Sequence, residues 1–224
     1  MTEDPAIVGS ETSPVVLPTP GERAAAEAVF GERIGLAEQF VHHLATSGIE
    51  RGLLGPREVP RLWGRHVLNC AVVAELIEAD KTVCDVGSGA GLPGIALAIA
   101  RPDLSLVLVE PLERRVAWLN EVVDDLGLAN VTVHRARAEQ AVKTVDVDVV
   151  TARAVSAMSK LAPLTIPLLH GRGQVLALKG RSAAEEVADA RKVIRRLGGS
   201  SVEIVTAGAS VLEEPTTVVR ITVG

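Results

Sequence analysis

The sequence predicts an α/β fold built on a seven-stranded, mostly parallel sheet, and three observations support this expectation. From Thr82 onward, short apolar runs alternate with helical stretches, as repeated βαβ units require. No long helix separates the last two runs, so we expect a hairpin at the sheet edge and an antiparallel last strand. A glycine-rich stretch joins the first run to the first helix, where open α/β sheets bind their ligands.

The first 80 residues are expected to differ from the sheet. Residues 1–20 carry four prolines among polar residues, which predicts a disordered arm. Residues 21–80 are predicted to form an N-terminal helical segment packed on the core. Apolar residues recur at helical spacing from Glu22 to Thr46, with Gly48 as a stop, and again from Leu62 to Ile77. Residues 81–224 should complete a single compact domain.

The elements of the sheet region follow from the same patterns. Strands are expected at seven apolar runs, namely 82–86, 105–110, 130–134, 147–152, 174–179, 201–207 and 216–222. Helices are expected near 93–101, 112–127, 156–170 and 182–197.

Composition excludes several classes of protein. With 28 acidic and 23 basic residues, any contact with nucleic acid must come from a local patch. Aromatic residues make up only 2% of the chain, so it cannot bind single-stranded RNA chiefly by stacking. Both cysteines, Cys70 and Cys84, lie in apolar stretches and are expected to be reduced core thiols. We find no export signal, membrane span or metal-ligand spacing, and therefore expect a monomeric cytoplasmic protein without a membrane partner.

The glycine loop after the first strand reads DVGSGAGLPG over residues 85–94. Gly89, Gly91 and Gly94 satisfy the G-x-G-x-x-G pattern, so a dinucleotide cofactor and a dehydrogenase activity remain possible. Asp85, two residues before the first glycine, argues against them. Its carboxylate would repel a pyrophosphate and attract the ammonium or sulfonium group of S-adenosyl-L-methionine.

A second acidic residue, Glu110, closes the next strand about 20 residues beyond the loop, where a carboxylate accepts hydrogen bonds from ribose hydroxyls. Both cofactor classes share this feature, so it supports a nucleoside without naming one. Taken with Asp85 and the strand pattern, it predicts a Rossmann-like class I S-adenosylmethionine-dependent methyltransferase fold.

Several short motifs resemble those of the bacterial small-subunit (16S) ribosomal RNA guanine-N7 methyltransferases, also called glucose-inhibited division protein B. The matching segments are RHVLNC at 65–70, DVGSGAGLPG at 85–94, Arg101-Pro102, Glu110 followed by Arg114-Arg115, TARA at 151–154 and ALKG at 177–180. The Gly-Leu-Pro-Gly run and the later Arg-Ala and Leu-Lys-Gly signatures are far more specific than the glycines alone.

The resemblance implies methyl transfer to N7 of one guanine in 16S ribosomal RNA, within an assembled or nearly assembled small subunit. The family's cofactor contacts carry over to Gly87, Leu92, Glu110, Ala138, Glu139 and Arg153, and the loop residues Asp85, Gly89 and Gly91 complete the expected cofactor site. Gly87 and Leu92 should line the methionine end, Glu110 the ribose, and Ala138 and Glu139 the adenine. Arg153 should also face the reaction centre.

An RNA-binding rim is expected from basic residues, since phosphate contacts position a nucleic acid. Its candidates are Arg57, Arg61, Arg65, His66, Arg114 and Lys179. For His66, contact with RNA and a buried partner both remain open. Two departures from the family pattern bear on this rim: Gly52-Leu53-Leu54 replaces a common Asn-Leu-Thr, and an arginine before the last strand is replaced near Pro215.

The expected chemistry needs no general base, because guanine N7 carries an available lone pair and methyl transfer is an in-line displacement. Arg153 and Lys179 are therefore predicted to position the substrate through a carbonyl oxygen or a phosphate. A non-catalytic RNA- or ribosome-binding module on the same fold is the alternative, and the presence of Asp85, Gly87 and Glu110 argues against it.

Overall fold

N-terminal helices precede the sheet in the computed structural model, which describes residues 16–224. The α-helices of this part are α1 (Pro20–Phe30), α2 (Ile34–Ala45), α3 (Ser47–Glu50) and α4 (Asn69–Ala71). Short 3-10 turns cover Gly31–Arg33, Pro56–Arg61 and Val72–Leu76, and Leu62–Leu68 forms a π-helix. The helix predicted from Leu62 to Ile77 is therefore one helical run whose hydrogen-bonding pattern changes twice.

The start of α1 is fixed by its first residues. Thr19 Oγ1 accepts a hydrogen bond from Glu22 N, and Glu22 Oε2 accepts one from Thr19 N, a reciprocal cap that begins the helix. Trp63 Nε1 donates to Val16 O at 2.9 Å. Residues 16–20 of the predicted arm are thus held against the folded chain, and its first 15 residues lie outside the described part.

The prediction that Gly48 stops the preceding helix is wrong. Helix α2 ends at Ala45, and Thr46 leaves the helical conformation with φ −106° and ψ −97°. Gly48 lies buried inside α3, where a Cβ would sit 3.2 Å from His43 O and 3.6 Å from the Trp118 ring. The glycine therefore allows close packing and does not end a helix.

The sheet has the predicted seven strands. They are β1 (Thr82–Val86), β2 (Ser105–Val109), β3 (Val131–His134), β4 (Val149–Arg153), β5 (Gly173–Leu178), β6 (Gly199–Ala207) and β7 (Thr216–Val223). Their spatial order is β3-β2-β1-β4-β5-β7-β6, with β7 antiparallel to both of its neighbours and the other pairs parallel. The predicted antiparallel last strand is confirmed.

Five helices connect the strands. They are α5 (Gly94–Ala100), α6 (Glu113–Asp125), α7 (Ala138–Ala141), α8 (Met158–Thr165, followed by a 3-10 turn at Ile166–Leu169) and α9 (Ala183–Arg196). The sequence did not predict α7, because four residues are too short to show a helical period.

Apolar side chains cover both faces of the sheet. On one face, Phe40 and Leu62 of the N-terminal segment belong to the same buried cluster as Val83 and Leu106 of the strands. On the other face, α8 and α9 cover Val150 and Val175. The N-terminal segment thus shares its core with the sheet. Within residues 16–224, no helix combines the length and apolar character needed to cross a membrane.

Candidate cofactor site and substrate rim

The glycine loop turns at the carboxyl end of β1, and its own backbone is largely hydrogen-bonded. Gly87, Gly89 and Gly91 have φ of +71°, +54° and +76°, a conformation that favours glycine. Seven residues of the loop and the first turn of α5 donate their N–H groups to acceptors inside the protein: Gly87, Ser88, Gly89, Gly91, Leu92, Gly94 and Ile95. Pro93 has no N–H to offer.

Asp85 is the internal anchor of this loop. It is fully buried, and its Oδ2 accepts from Gly94 N at 3.1 Å while its Oδ1 accepts from Thr151 Oγ1 at 3.0 Å. Burial raises the pKa of Asp85 to about 6, against the lowering effect of these hydrogen bonds. The sequence placed this carboxylate against the ligand. The structure instead turns it into the protein, since β1 and β4 pair directly at Asp85 and Thr151.

Glu110 follows β2 beside the same loop. Its Oε2 accepts from Gly89 N and its Oε1 from Leu112 N, each at 3.0 Å, and Arg115 Nη1 lies 3.7 Å from Oε2. A carboxylate has about four lone-pair sites, so two protein donors leave capacity for more. Glu110 thus joins the loop to the start of α6, and its carboxylate is almost completely buried.

Other predicted cofactor residues follow β1 and β3 in the chain. Leu92 is buried in the loop, and Ala138 and Glu139 begin α7 beyond β3, which is the neighbour of β2. On the opposite side, Val155 covers Gly87, where a Cβ would lie only 3.0 Å from Val155 Cγ2. The structure brings these residues to one edge of the sheet, at the reversal in strand order beside β1.

The arrangement fits S-adenosyl-L-methionine better than a dinucleotide. A pyrophosphate binds to free N–H groups at the start of the helix after β1. Here Gly94 N already donates to the Asp85 carboxylate and Ile95 N donates to Gly91 O. Pro93, which precedes Gly94, has no N–H group. A phosphate needs free N–H donors at this point, and here they already have acceptors. A cofactor with a neutral ribose and a cationic sulfonium does not depend on such donors.

Arg153, at the end of β4, points toward the N-terminal segment. Its Nη2 donates to His66 Nδ1 at 2.6 Å, and its Nη1 approaches Cys70 Sγ at 3.3 Å. His66 is only 5% exposed, and its Nε2 lies 2.7 Å from Glu58 Oε2. The sequence left open whether His66 contacts RNA or a buried partner, and the structure shows both ring nitrogens bonded within the protein, to the half-buried Glu58 and Arg153. His66 is therefore withdrawn from the RNA-binding rim.

The two cysteines are free and buried, as predicted. Burial raises the pKa of the Cys70 thiol to about 11, which the nearby Arg153 only partly offsets, and burial also raises that of Cys84. Neither thiol is positioned as a nucleophile.

Lys179 does not lie on the expected RNA-binding rim. Its side chain is 10% exposed, and its Nζ donates to Glu186 Oε2 at 2.8 Å and to Ser156 O at 2.6 Å. Glu186 also accepts from Met158 N and Ser182 Oγ. Although burial opposes the change, these hydrogen bonds lower the pKa of Glu186. Lys179 ties the loop after β4 to α9 and has little surface for a phosphate.

The remaining rim residues Arg57, Arg61, Arg65 and Arg114 are exposed. Arg61 and Arg65 line a cleft of about 750 Å³ between α1, the π-helix and the β6–β7 connection. The cleft also holds three acidic residues, Glu22, Glu213 and Glu214. Its charge is therefore mixed, and the basic part lies on the side of the 56–65 segment.

Comparison with known proteins is consistent with this geometry. Residues 33–214 match a family model described as GidB, rRNA small subunit methyltransferase G. The chain is 71% identical over 202 residues to the ribosomal RNA small subunit methyltransferase G of Renibacterium salmoninarum, covering 90% of this chain and 94% of that protein. It is 69% identical over 205 residues to the protein of that name from Paenarthrobacter aurescens, with coverage of 92% and 95%.

The chain belongs to the GidB family. A solved structure supports the fold separately: M. jannaschii TYW2 in complex with AdoMet superposes with a TM-score of 0.55 at 18% identity, covering 72% of this chain and 76% of that one. At that identity the likeness concerns the fold alone. The family resemblance and the class I methyltransferase fold expected from the sequence are both confirmed.

Within this GidB-family chain, three residues of the site region escaped the sequence reasoning, namely Glu58, Cys70 as a partner of Arg153, and Glu186. Glu58 and His66 lie eight residues apart across a 3-10 turn and a π-helix, so regular helical spacing does not bring them together. Glu186 occupies the first turn of α9, which sequence alone indicates only as a capping position.

Proposed function

We propose that this chain transfers the methyl group of S-adenosyl-L-methionine to N7 of a guanine in the ribosomal RNA of the small subunit, and that it does so in the cytoplasm. The observation that supports the cofactor assignment is the glycine loop whose N–H groups are mostly bonded within the protein, because it disfavours the phosphate site of a dinucleotide. Membership of the GidB family supports the RNA substrate.

The residues around the loop have separate tasks in this proposal. Gly87 and Leu92 would line the methionine end, Glu110 would accept from the ribose, and Ala138 with Glu139 would border the adenine. Asp85 contributes indirectly, since it shapes the loop through Gly94. The bound cofactor supplies an electrophilic methyl group on sulfur. The chain has to hold the acceptor nitrogen in line with that bond.

Three titratable groups near the site, Asp85, Cys70 and His66, support an acceptor that loses no proton before attack. Asp85 is buried, the pKa of Cys70 is raised to about 11, and both nitrogens of His66 have hydrogen-bond partners. None of these three is placed to remove a proton from a substrate. Guanine N7 has an available lone pair, whereas an exocyclic amine or a ribose hydroxyl must lose a proton.

Substrate binding would rest on the exposed arginines Arg57, Arg61, Arg65 and Arg114, which would hold phosphates of the RNA backbone. Arg153 lies between this segment and the glycine loop and would position the cofactor or the guanine. Lys179 is not included, because its ammonium group is held by Glu186 and Ser156.

The test combines the purified chain with isotopically labelled S-adenosyl-L-methionine and either small ribosomal subunits or protein-free 16S RNA. Nucleosides are then analysed by mass spectrometry. We expect labelled 7-methylguanosine, with more from assembled subunits than from free RNA. Label in a different nucleoside would refute the N7 assignment. Calorimetry without RNA is run in parallel, and a chain with no affinity for the cofactor would be the non-catalytic binding module.

A further inference from the structure

The side chains between the N-terminal segment and the sheet form a chain of hydrogen bonds. Glu58 Oε2 lies 2.7 Å from His66 Nε2, and His66 Nδ1 lies 2.6 Å from Arg153 Nη2. Glu58 belongs to the 3-10 turn, His66 to the π-helix and Arg153 to the end of β4. Contacts across 87 residues of sequence therefore fix the guanidinium beside the proposed site.

The geometry determines where the imidazole proton resides. A guanidinium can only donate, so His66 Nδ1 must present its lone pair to Arg153. The proton of a neutral ring must then be on Nε2, from which it is donated to Glu58. Burial and the charge of Arg153 lower the pKa of His66, although Glu58 opposes them, so the neutral ring is the stable form at neutral pH.

Three ionised groups within residues 16–224 influence the protonation of His66 most. They are Arg153 from β4, Glu58 from the 3-10 turn and Arg65 from its own helix. Arg65 Nε is 3.9 Å from Glu58 Oε2 and points outward. In the described part of the chain, no carboxylate forms a salt bridge with Arg153, although the buried Asp85 interacts with its charge at longer range. Two neutral acceptors, His66 Nδ1 and Cys70 Sγ, hold the guanidinium, so no ion pair cancels its charge.

We propose that His66, oriented by Glu58, is the positioning residue that aims Arg153 at the methyl-transfer site. A neutral acceptor fixes the guanidinium without cancelling its charge, which a carboxylate in the same place would do. Protonation of His66 replaces the acceptor by a second donor and releases Arg153. The inference rests on the proposed function for the role of Arg153, whereas the hydrogen-bond chain itself can be tested without methyl transfer.

The first experiment is 15N NMR of histidine-labelled protein without cofactor or RNA. The five histidines are distinguished by the signals missing from His66→Asn. We expect His66 to carry its proton on Nε2 and to titrate below 6.5, and Arg153→Ala to raise its pKa. A proton on Nδ1, or a His66 pKa that does not respond to Arg153→Ala, would overturn the proposal.

The second experiment compares two replacements of His66. Asparagine places an oxygen near the position of Nδ1 and can still accept from Arg153, whereas glutamine reaches the position of Nε2 and serves Glu58 instead. We expect His66→Gln to lower kcat/KM for S-adenosyl-L-methionine about 10- to 100-fold, a cost typical of losing a partner that orients a functional group. His66→Asn should recover most of that loss.

Two controls distinguish the positioning of Arg153 from an RNA contact and from a loss of stability. The KM for RNA should change less than about threefold in both variants, and a loss confined to that KM would make His66 an RNA contact and refute the proposal. Thermal unfolding of each variant shows whether the substitution simply destabilises the fold. Equal losses of kcat/KM in His66→Gln and His66→Asn would also refute the positioning role. If NMR confirms the chain of bonds while the methylated atom proves not to be N7, the proposed function fails and the positioning role stands.

Discussion

The glycine loop and the 56–65 segment, which the proposed function assigns to the cofactor and to the RNA, are built in opposite ways. In the loop, most backbone N–H groups donate to acceptors inside the protein, and the buried Asp85 accepts from Gly94 N. In the 56–65 segment, Arg57, Arg61 and Arg65 extend into solvent. We call the loop a rigid mould, because its internal hydrogen bonds fix its shape and thereby select the cofactor. The 56–65 segment is a charged surface on which a single side chain can change without altering the backbone. Four substitutions test this contrast.

The largest effect is expected at Gly94. A Cβ there would overlap Leu108 Cδ2 and lie 2.9 Å from Asp85 Oδ2, both in the buried core. Gly94→Ala should destabilise the fold by about 3 kcal/mol, the upper end for overpacking, and lower affinity for S-adenosyl-L-methionine about 100-fold. Calorimetry and chemical denaturation measure both effects.

Gly35→Ala is the matched control, because nothing lies within 4 Å of its Cβ position in α2. It should leave cofactor affinity unchanged and increase helix stability slightly. If Gly94→Ala behaved like Gly35→Ala, the loop would not be a rigid mould.

The rim should respond differently. Replacing Arg57, Arg61 and Arg65 by alanine should weaken binding to 16S RNA about 100-fold at low salt and reduce the slope of log K against log salt by about 3. Cofactor affinity should stay the same, because these side chains are exposed and remote from the loop backbone. Filter binding over a salt series provides the measurement.

The same triple substitution at Arg191, Lys192 and Arg195 removes equal charge from the exposed face of α9. It should change RNA binding little. Comparable losses from both triples would mean that RNA is attracted by charge in general and not by the 56–65 segment.

Asp85 makes the stability of the protein depend on pH. Its pKa of about 6 in the folded chain exceeds the ordinary 3.8, so the protonated form is favoured by folding. That contribution is complete below pH 3.8 and is lost as the pH rises through 6. Asp85→Asn mimics the protonated form and should raise stability by about 3 kcal/mol at about pH 8, with little difference near about pH 3.5.

Thermal unfolding between about pH 3.5 and pH 8 tests this prediction, with the exposed Asp146→Asn as control. A wild-type protein that gained stability relative to Asp85→Asn as the pH rose would show that the hydrogen bonds from Gly94 and Thr151 outweigh burial.

The smallest effect concerns Lys179. Lys179→Met leaves Glu186 without its ammonium partner and should cost about 2 kcal/mol of stability. Binding to RNA should stay within twofold of wild type, because the ammonium group has little exposed surface. Lys160→Met, which removes an exposed lysine from α8, should alter neither quantity. A strong RNA-binding defect without destabilisation would return Lys179 to the rim.

Sequence patterns predicted the parts of the molecule whose signals are local. The boundaries of β1 were predicted to the residue, and α5 and α9 within one residue at each end, because each is a continuous run of one period. The glycine loop could also be predicted, because its glycines lie close together in the sequence. The direction in which the Asp85 carboxylate points could not, since it depends on the pairing of β1 with β4.

The failures share one physical cause, namely contacts between distant parts of the chain. Lys179 is basic and follows a strand, and these two features predicted an RNA contact. In the structure its ammonium group instead donates to Glu186 on the next helix. His66 follows Arg65 in sequence, yet one is buried and the other is exposed. Neither outcome can be deduced without the packing of α9 on the sheet or the π-helix on β4.

Because Leu62–Leu68 forms a π-helix, the direction of the side chains in this segment depends on its length to within one residue. Loss of one residue there would restore an ordinary α-helix and change the direction of the side chains within the segment, including His66. Such a deletion upstream of His66 would turn the imidazole away from Arg153 while retaining the length and apolar content of a good helix. Among homologues, an alignment gap in these seven residues would therefore mark proteins that aim the strand-end arginine by another route.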